Sequence, residues 1–176
     1  MLMPGLVQAE QAPPLRFDLG RVATVAEVAE MDIDVRPDGA GLPAGSGNAA
    51  LGEKLFQGKC QSCHGVGGRG GPFDTLVGRL PDDDFPFGRD PSVKKTIGNY
   101  WPYATTLFDY TLRAMPYDAP GSLSVDEVYS LTAFLLHENK IIDDTTELNQ
   151  DNLAAIKMPS RDRFVLDDRL GGDEIR

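Results

Sequence analysis

Apolar residues recur along this chain at helical rather than alternating spacing. Leu51, Leu55 and Phe56 share a face behind Asn48, an N-cap candidate, and that face runs into Cys60. Asp90-Pro91 offers a cap followed by proline at the first helical position and predicts a helix running towards Gly98. Tyr103, Leu107, Tyr110 and Ala114 lie at helical spacing over roughly 102–114, and Met115-Pro116 ends the run because proline disfavours helix at the residue before it. The clearest pattern comes next: Ser124 and Glu127 form a capping box, and Val128, Leu131, Phe134, Leu135 and Leu136 supply an apolar face to about Glu138. Weaker signals place a short helix at 25–31 and one or two between Asp143 and Ile156. There is no internal repeat and no strand-rich block. The expectation is a mostly α protein with a helical domain at 48–140, an N-terminal arm at 1–47 and a C-terminal extension at 141–176.

Proline, glycine and acids dominate the first arm, and 35–43 is mostly turn material. Two readings stand for it. One is a disordered leader; the favoured one is an arm lying on the domain or on a partner, anchored by Leu15, Phe17, Val22, Val25 and Val28. Residues 158–176 read as a polar tail.

Composition narrows the function. The formal charge of -10, from 27 acids against 17 bases, disfavours a nucleic-acid role, because phosphate binding needs clustered Lys and Arg. Partners are expected to be proteins. No run approaches the roughly 18 apolar residues of a membrane span, and Met1 to Ala12 lacks the basic start and apolar centre of a secretory signal. With 176 residues, 19 of them Gly and 13 Pro, the chain predicts one core domain with much loop.

The two cysteines of the chain lie three apart and are spent in one motif, Cys60-Gln61-Ser62-Cys63-His64. It reads as the attachment site of one covalent haem c: two thiols bond the porphyrin edge, and the adjacent histidine becomes an iron ligand. A redox CxxC is disfavoured because no βαβ pattern surrounds it, and a zinc site because the paired ligand spacing is missing. The glycine-rich run from Gly65 to Gly71 permits close backbone approach to a flat cofactor. Pro72 closes the run, and a carbonyl there is expected to accept the His64 ring N–H. Met115, at a helix end before Pro116, is the expected sixth ligand, with Met158 and His137 as alternatives. An open sixth site would instead point to peroxidase chemistry or gas binding. Leu76 and Leu80 are expected to pack on the haem, and Trp101 to offer its indole N–H to a propionate or to pack in the core. Asp82, Asp83 and Asp84 read as a solvated loop, with docking of a basic partner as the functional alternative. Covalent haem implies export, so the chain is expected to be a mature form whose leader has been removed.

From Gly52-Glu53-Lys54-Leu55-Phe56 through the haem motif to Met115-Pro116 and Leu131-Thr132-Ala133-Phe134-Leu135, the chain resembles a class I cytochrome c. More closely, it resembles the cytochrome subunit of bacterial sulfane or sulfite dehydrogenases. The stretches that carry this are 32–39 (DIDVRPDG), 98–110 (GNYWPYATTLFDY), 113–116 (RAMP) and 157–162 (KMPSRD). The resemblance implies a periplasmic electron-transfer subunit with no catalytic residue of its own. It would be bound to a molybdenum-cofactor subunit that oxidises the sulfur substrate, and would pass electrons on to another cytochrome c. The two arms would embrace the partner, Cys60 and Cys63 would be the thioether positions, and His64 and Met115 the axial ligands. Some members carry two haem domains, whereas this sequence has one CxxCH. A free periplasmic shuttle is the alternative function.

Overall fold

The computed structural model describes residues 19–81, 86–87 and 89–165. They fall into two units, one up to Ile33 and one from Asp34 onwards. The first holds helix α1 (Val25–Met31), whose N-terminus Thr24 caps by accepting from the N–H of Glu27 while the Glu27 carboxylate accepts from that of Thr24. Its apolar side chains are exposed: Val22 by 92%, Val25 by 87% and Val28 by 51%. Leu15 and Phe17, the other expected anchors, lie outside the described residues.

The second unit is built around α6 (Val125–Glu138), in which every residue from Val128 to Leu136 is buried. The capping box at its start is present, with Ser124 N–H donating to Glu127 Oε2 at 2.8 Å and Glu127 N–H to Ser124 Oγ at 3.3 Å. Helix α2 (Ala49–Lys59) starts at Asn48, whose Oδ1 accepts from Leu51 N–H at 3.0 Å, and lies against α6. Gly52 makes that approach possible, since a Cβ there would run into the Ser130 backbone and Phe134. Phe56 then meets Phe134 with ring centroids 5.1 Å apart. A four-residue α3 (Gln61–His64) follows α2, and a four-residue α4 (Ile97–Tyr100) precedes α5 (Ala104–Ala114). Helix α5 packs on another face of α6, placing Phe108 4.5 Å from Tyr129 between centroids. Burial pushes the Tyr129 phenol up to about 12, and its hydroxyl donates to the Pro43 carbonyl at 3.0 Å.

Three elements differ from expectation. Asp90 does not cap a helix. Its carboxylate accepts from Ser92 N–H at 2.9 Å and Ser92 Oγ–H at 2.7 Å, closing a side-chain turn that competes with helix. Helix α4 starts later, behind Thr96. Between Asp143 and Ile156 there is one 3-10 turn at Leu153–Ala155 and a strand, β2 (Glu147–Asn149), paired antiparallel with β1 (Ser46–Asn48), so that Gly47 faces Leu148. Leu51, expected on the buried face, is 46% exposed, while Leu55 is half-buried and Phe56 buried.

Within the second unit, residues 34–47 and 141–165 share the body of 48–140. Val35 is buried, and Leu148, Leu153 and Met158 sit in the hydrophobic core at 1% exposure or less. The expected boundaries after residues 47 and 140 therefore fall within one compact unit, and the segment expected to begin a polar tail at Met158 begins with a core residue.

Candidate haem centre

Helix α2 delivers Cys60 through a final bond from its N–H to the Phe56 carbonyl at 2.9 Å. Cys60 then leaves helical geometry (φ -126°, ψ -29°) and starts a new turn, its carbonyl accepting from Cys63 N–H at 3.1 Å and His64 N–H at 3.0 Å. That turn sets Cys63 and His64 in its helical positions, three and four residues after the Cys60 thiol at its cap. Both cysteines are unpaired, Cys60 half-buried and Cys63 exposed. Burial pushes the Cys60 thiol up to about 11. Two thiols and an adjacent imidazole, with no second pair of ligands gathered about them among the described residues, are the donor set of covalent haem attachment rather than of a zinc site.

His64 Nδ1 lies 2.9 Å from the carbonyl oxygen of Asp74. A carbonyl only accepts, so Nδ1 carries the proton and the Nε2 lone pair is left for a metal. The partner of the ring is thus Asp74, two residues beyond the expected Pro72, which is exposed. The loop path explains the difference. Gly71 packs so closely on the motif that a Cβ would collide with the Cys63 carbonyl and the His64 backbone, and Phe73 N–H donates back to the Cys63 carbonyl at 3.1 Å. Pro72 passes by outside, and the chain turns a carbonyl inward at Asp74. Leu76 and Val77 N–H then both donate to the Gly68 carbonyl, at 3.0 and 3.1 Å. Leu76 is half-buried against the core, and Leu80, 38% exposed, is held by its N–H to Asn99 Oδ1 at 2.7 Å.

Met115 stands at the C-cap of α5, half-buried, with its N–H donating to the Thr111 carbonyl at 3.3 Å. The last turn of that helix carries Arg113, which grips the nearly buried Asp109 through two bonds at 2.8 and 2.5 Å, while the same carboxylate accepts from Val35 N–H at 2.9 Å. Arg113, assisted by the Val35 N–H, holds the Asp109 carboxyl below the usual carboxylate range against the opposing effect of burial.

Residues 47–135, which hold the motif and Met115, match the family described as cytochrome c oxidase, cbb3-type, subunit III. The chain belongs to that cytochrome family. As a whole this cytochrome is similar to a chain of the crystal structure of the sulfane dehydrogenase SoxCD from Paracoccus pantotrophus. Identity is 39% and the TM-score 0.74, over 88% of this chain and 74% of that one.

Among the other expected residues, Trp101 of the cytochrome is half-buried, edge-on to Tyr110 with centroids 6.1 Å apart, and its carbonyl accepts from Ser160 Oγ–H at 2.9 Å. Met158 is packed in the core at 1% exposure. His137 is half-buried at the end of α6, its Nδ1 buried without a hydrogen-bond partner. Among the described residues, no three His, Cys, Asp or Glu side chains gather as a cage for a bare metal ion, and no helix is long and apolar enough to cross a membrane. Asp82, Asp83 and Asp84 lie outside the described residues. Sequence reasoning missed the roles of Asp74, Asp109 and Asn99. Asp74 meets the His64 ring through its own carbonyl, and Asp109 and Asn99 accept from the Val35 and Leu80 N–H groups, pairings that leave no spacing signal; the i,i+4 spacing of Asp109 and Arg113 is the one cue the sequence offered.

Proposed function

We propose that this cytochrome carries one covalent haem c on Cys60 and Cys63, with His64 and Met115 as axial ligands, in a class I cytochrome c arrangement. It serves as the electron-transfer subunit of a periplasmic sulfane or sulfite dehydrogenase. Electrons arrive from a molybdenum-containing catalytic subunit and leave to another cytochrome c. The observation that carries this reading is the 39% identity, over 88% of the chain, with a chain of a sulfane dehydrogenase structure. The site residues support it: two thiols one turn apart, an imidazole with its proton fixed on Nδ1, and a half-buried thioether.

When bound, the haem supplies a one-electron iron couple. The chain does the rest. Cys60 and Cys63 fix the position of the macrocycle, and the Asp74 carbonyl orients the His64 ring and raises its basicity. Met115 offers a neutral thioether, which favours the reduced state. Leu76 and Leu80 would exclude water from the haem, Trp101 would offer its indole N–H to a propionate, and Pro72 would close the glycine-rich turn. None of these residues acts on a sulfur substrate.

Purification of the native protein under mild conditions, followed by mass analysis of the intact complex and its metal content, tests the reading. A haem-bearing chain at fixed stoichiometry with a molybdenum-containing partner is the expected result. A lone haem protein would transfer the function to the free periplasmic shuttle.

A further inference from the structure

Asn139 follows the last turn of α6 and is 1% exposed, beyond the end of the family match at residue 135. Its side chain uses all its ordinary hydrogen-bonding capacity. Oδ1 accepts from Gly78 N–H at 3.0 Å and Gly98 N–H at 3.1 Å, while Nδ2 donates to the Leu76 carbonyl at 3.3 Å and the Leu135 carbonyl at 2.8 Å. One amide thus ties the C-terminus of α6, the start of α4 and the segment 76–78 to one another. Gly98 has no Cβ, and one placed there would strike Asn139 Oδ1. Thr96 reinforces the clasp, its hydroxyl donating to the Gly78 carbonyl, while Ile97 N–H donates to the Leu76 carbonyl at 3.1 Å.

The clasped segment is the continuation of the one that holds the histidine. Asp74, whose carbonyl accepts the His64 ring proton, is two residues before Leu76. Between the motif and the clasp the chain is fastened to the motif's own loop, through Phe73 to Cys63 and through Leu76 and Val77 to Gly68, and by two exposed side-chain contacts, Arg69 on Glu138 at 2.7 Å and Lys94 on the Thr75 hydroxyl at 3.2 Å. The motif loop sets where the segment starts, and Asn139 is the buried side chain that sets its far end against α6. A carbonyl held at both ends of a short segment keeps its aim, and the strength of an N–H···O=C bond depends steeply on distance and angle.

We infer that Asn139 is a positioning residue for the proximal ligand: by clasping residues 76–78 to α6 it keeps the Asp74 carbonyl on His64 Nδ1 and so tunes the haem iron, although it touches neither. This rests on the haem reading above. The hydrogen bond from Nδ1 makes the imidazole a stronger donor to oxidised iron, so loosening it raises the reduction potential.

The test compares holoprotein of the wild type with Asn139→Ser, Thr96→Val and, as a control, Tyr129→Phe, which loses a hydrogen bond to Pro43 away from the clasp. Haem content, folding stability, midpoint potential and deuterium exchange of the His64 Nδ1 proton by NMR are read for each. In Asn139→Ser the proton is expected to exchange about tenfold faster, the loss of roughly one hydrogen bond, and the potential to rise. Thr96→Val is expected to move both in the same direction by less, and Tyr129→Phe to lower stability while moving neither. An Asn139→Ser holoprotein that loses stability like the control but keeps wild-type potential and exchange overturns the inference. If that variant yields no folded holoprotein, unchanged potential and exchange in Thr96→Val overturn it equally. A wild-type chain without covalent haem fails earlier, at the haem reading itself.

Discussion

The segments that carry the two proposed axial ligands are held in opposite ways. Around His64 the immediate support is local and backbone-made, with the Asn139 amide one step behind it: the turn at Cys60, Gly71 packed on the motif, Phe73 bonded to Cys63, and the Asp74 carbonyl on the ring. Around Met115 the support is remote and made by side chains. The residue ends a helix whose last turn is fixed by Arg113 on Asp109, and Asp109 in turn holds Val35 from a segment far earlier in the chain. With haem attached as proposed, the histidine side would carry two thioether bonds and the imidazole-to-iron bond within five residues, and so is the side that calls for a rigid frame. A thioether ligand needs only to be presented at the right depth, and a helix end clamped from behind achieves that.

The comparison is sharpest at the ligand itself. Met115→Ala is expected to abolish the thioether-to-iron absorption band of the oxidised protein and lower the reduction potential, while the covalent haem stays in place. Retention of the band would assign the sixth position elsewhere and remove the distal half of the contrast. On the histidine side, Gly71→Ala forces a methyl group into the Cys63 and His64 backbone and is expected to cost about 1–3 kcal/mol in denaturant unfolding, the range for overpacking a tight site. A neutral result would show that the loop yields and is not rigid. The smallest effect belongs to Asp109→Asn, expected to cost about 1 kcal/mol at neutral pH because the Arg113 side chain is 44% exposed and partly screened. The sign of its pH dependence follows from the lowered carboxyl. Its contribution is complete above the ordinary value of 3.8 and disappears as the pH falls through the folded value, so the wild-type advantage should vanish in acid. Denaturant midpoints measured across that range check it; a gap that persists in acid would mean that Asp109 acts through packing and not through its charge.

Legibility followed the range of the interactions. Asn48 and Ser124 were readable as caps because a side chain and the N–H it meets lie three residues apart, and the structure keeps both. The cysteine–histidine motif was readable for the same reason. Asp90 misled because aspartate before proline serves a cap or a turn equally well locally, and Ser92 at the next polar position decided for the turn. The strand pair was invisible, since three residues at each of two distant places show no period until they meet. Met158 was assigned to a polar tail by the charges around it, yet it fills the core.

By itself, then, the sequence determined the helical class, the caps of α2 and α6, and the two thiols and the histidine at one-turn spacing. Only the tertiary structure decided that the Asp74 carbonyl, and not that of Pro72 itself, meets the ring, that Asp109 ties Val35 to α5, and that Asn139 joins three segments. Side chain to nearby backbone is a local geometry that residue type nearly fixes. Which of several consecutive carbonyls turns inward, and which buried amide finds it, depends on how the whole chain packs.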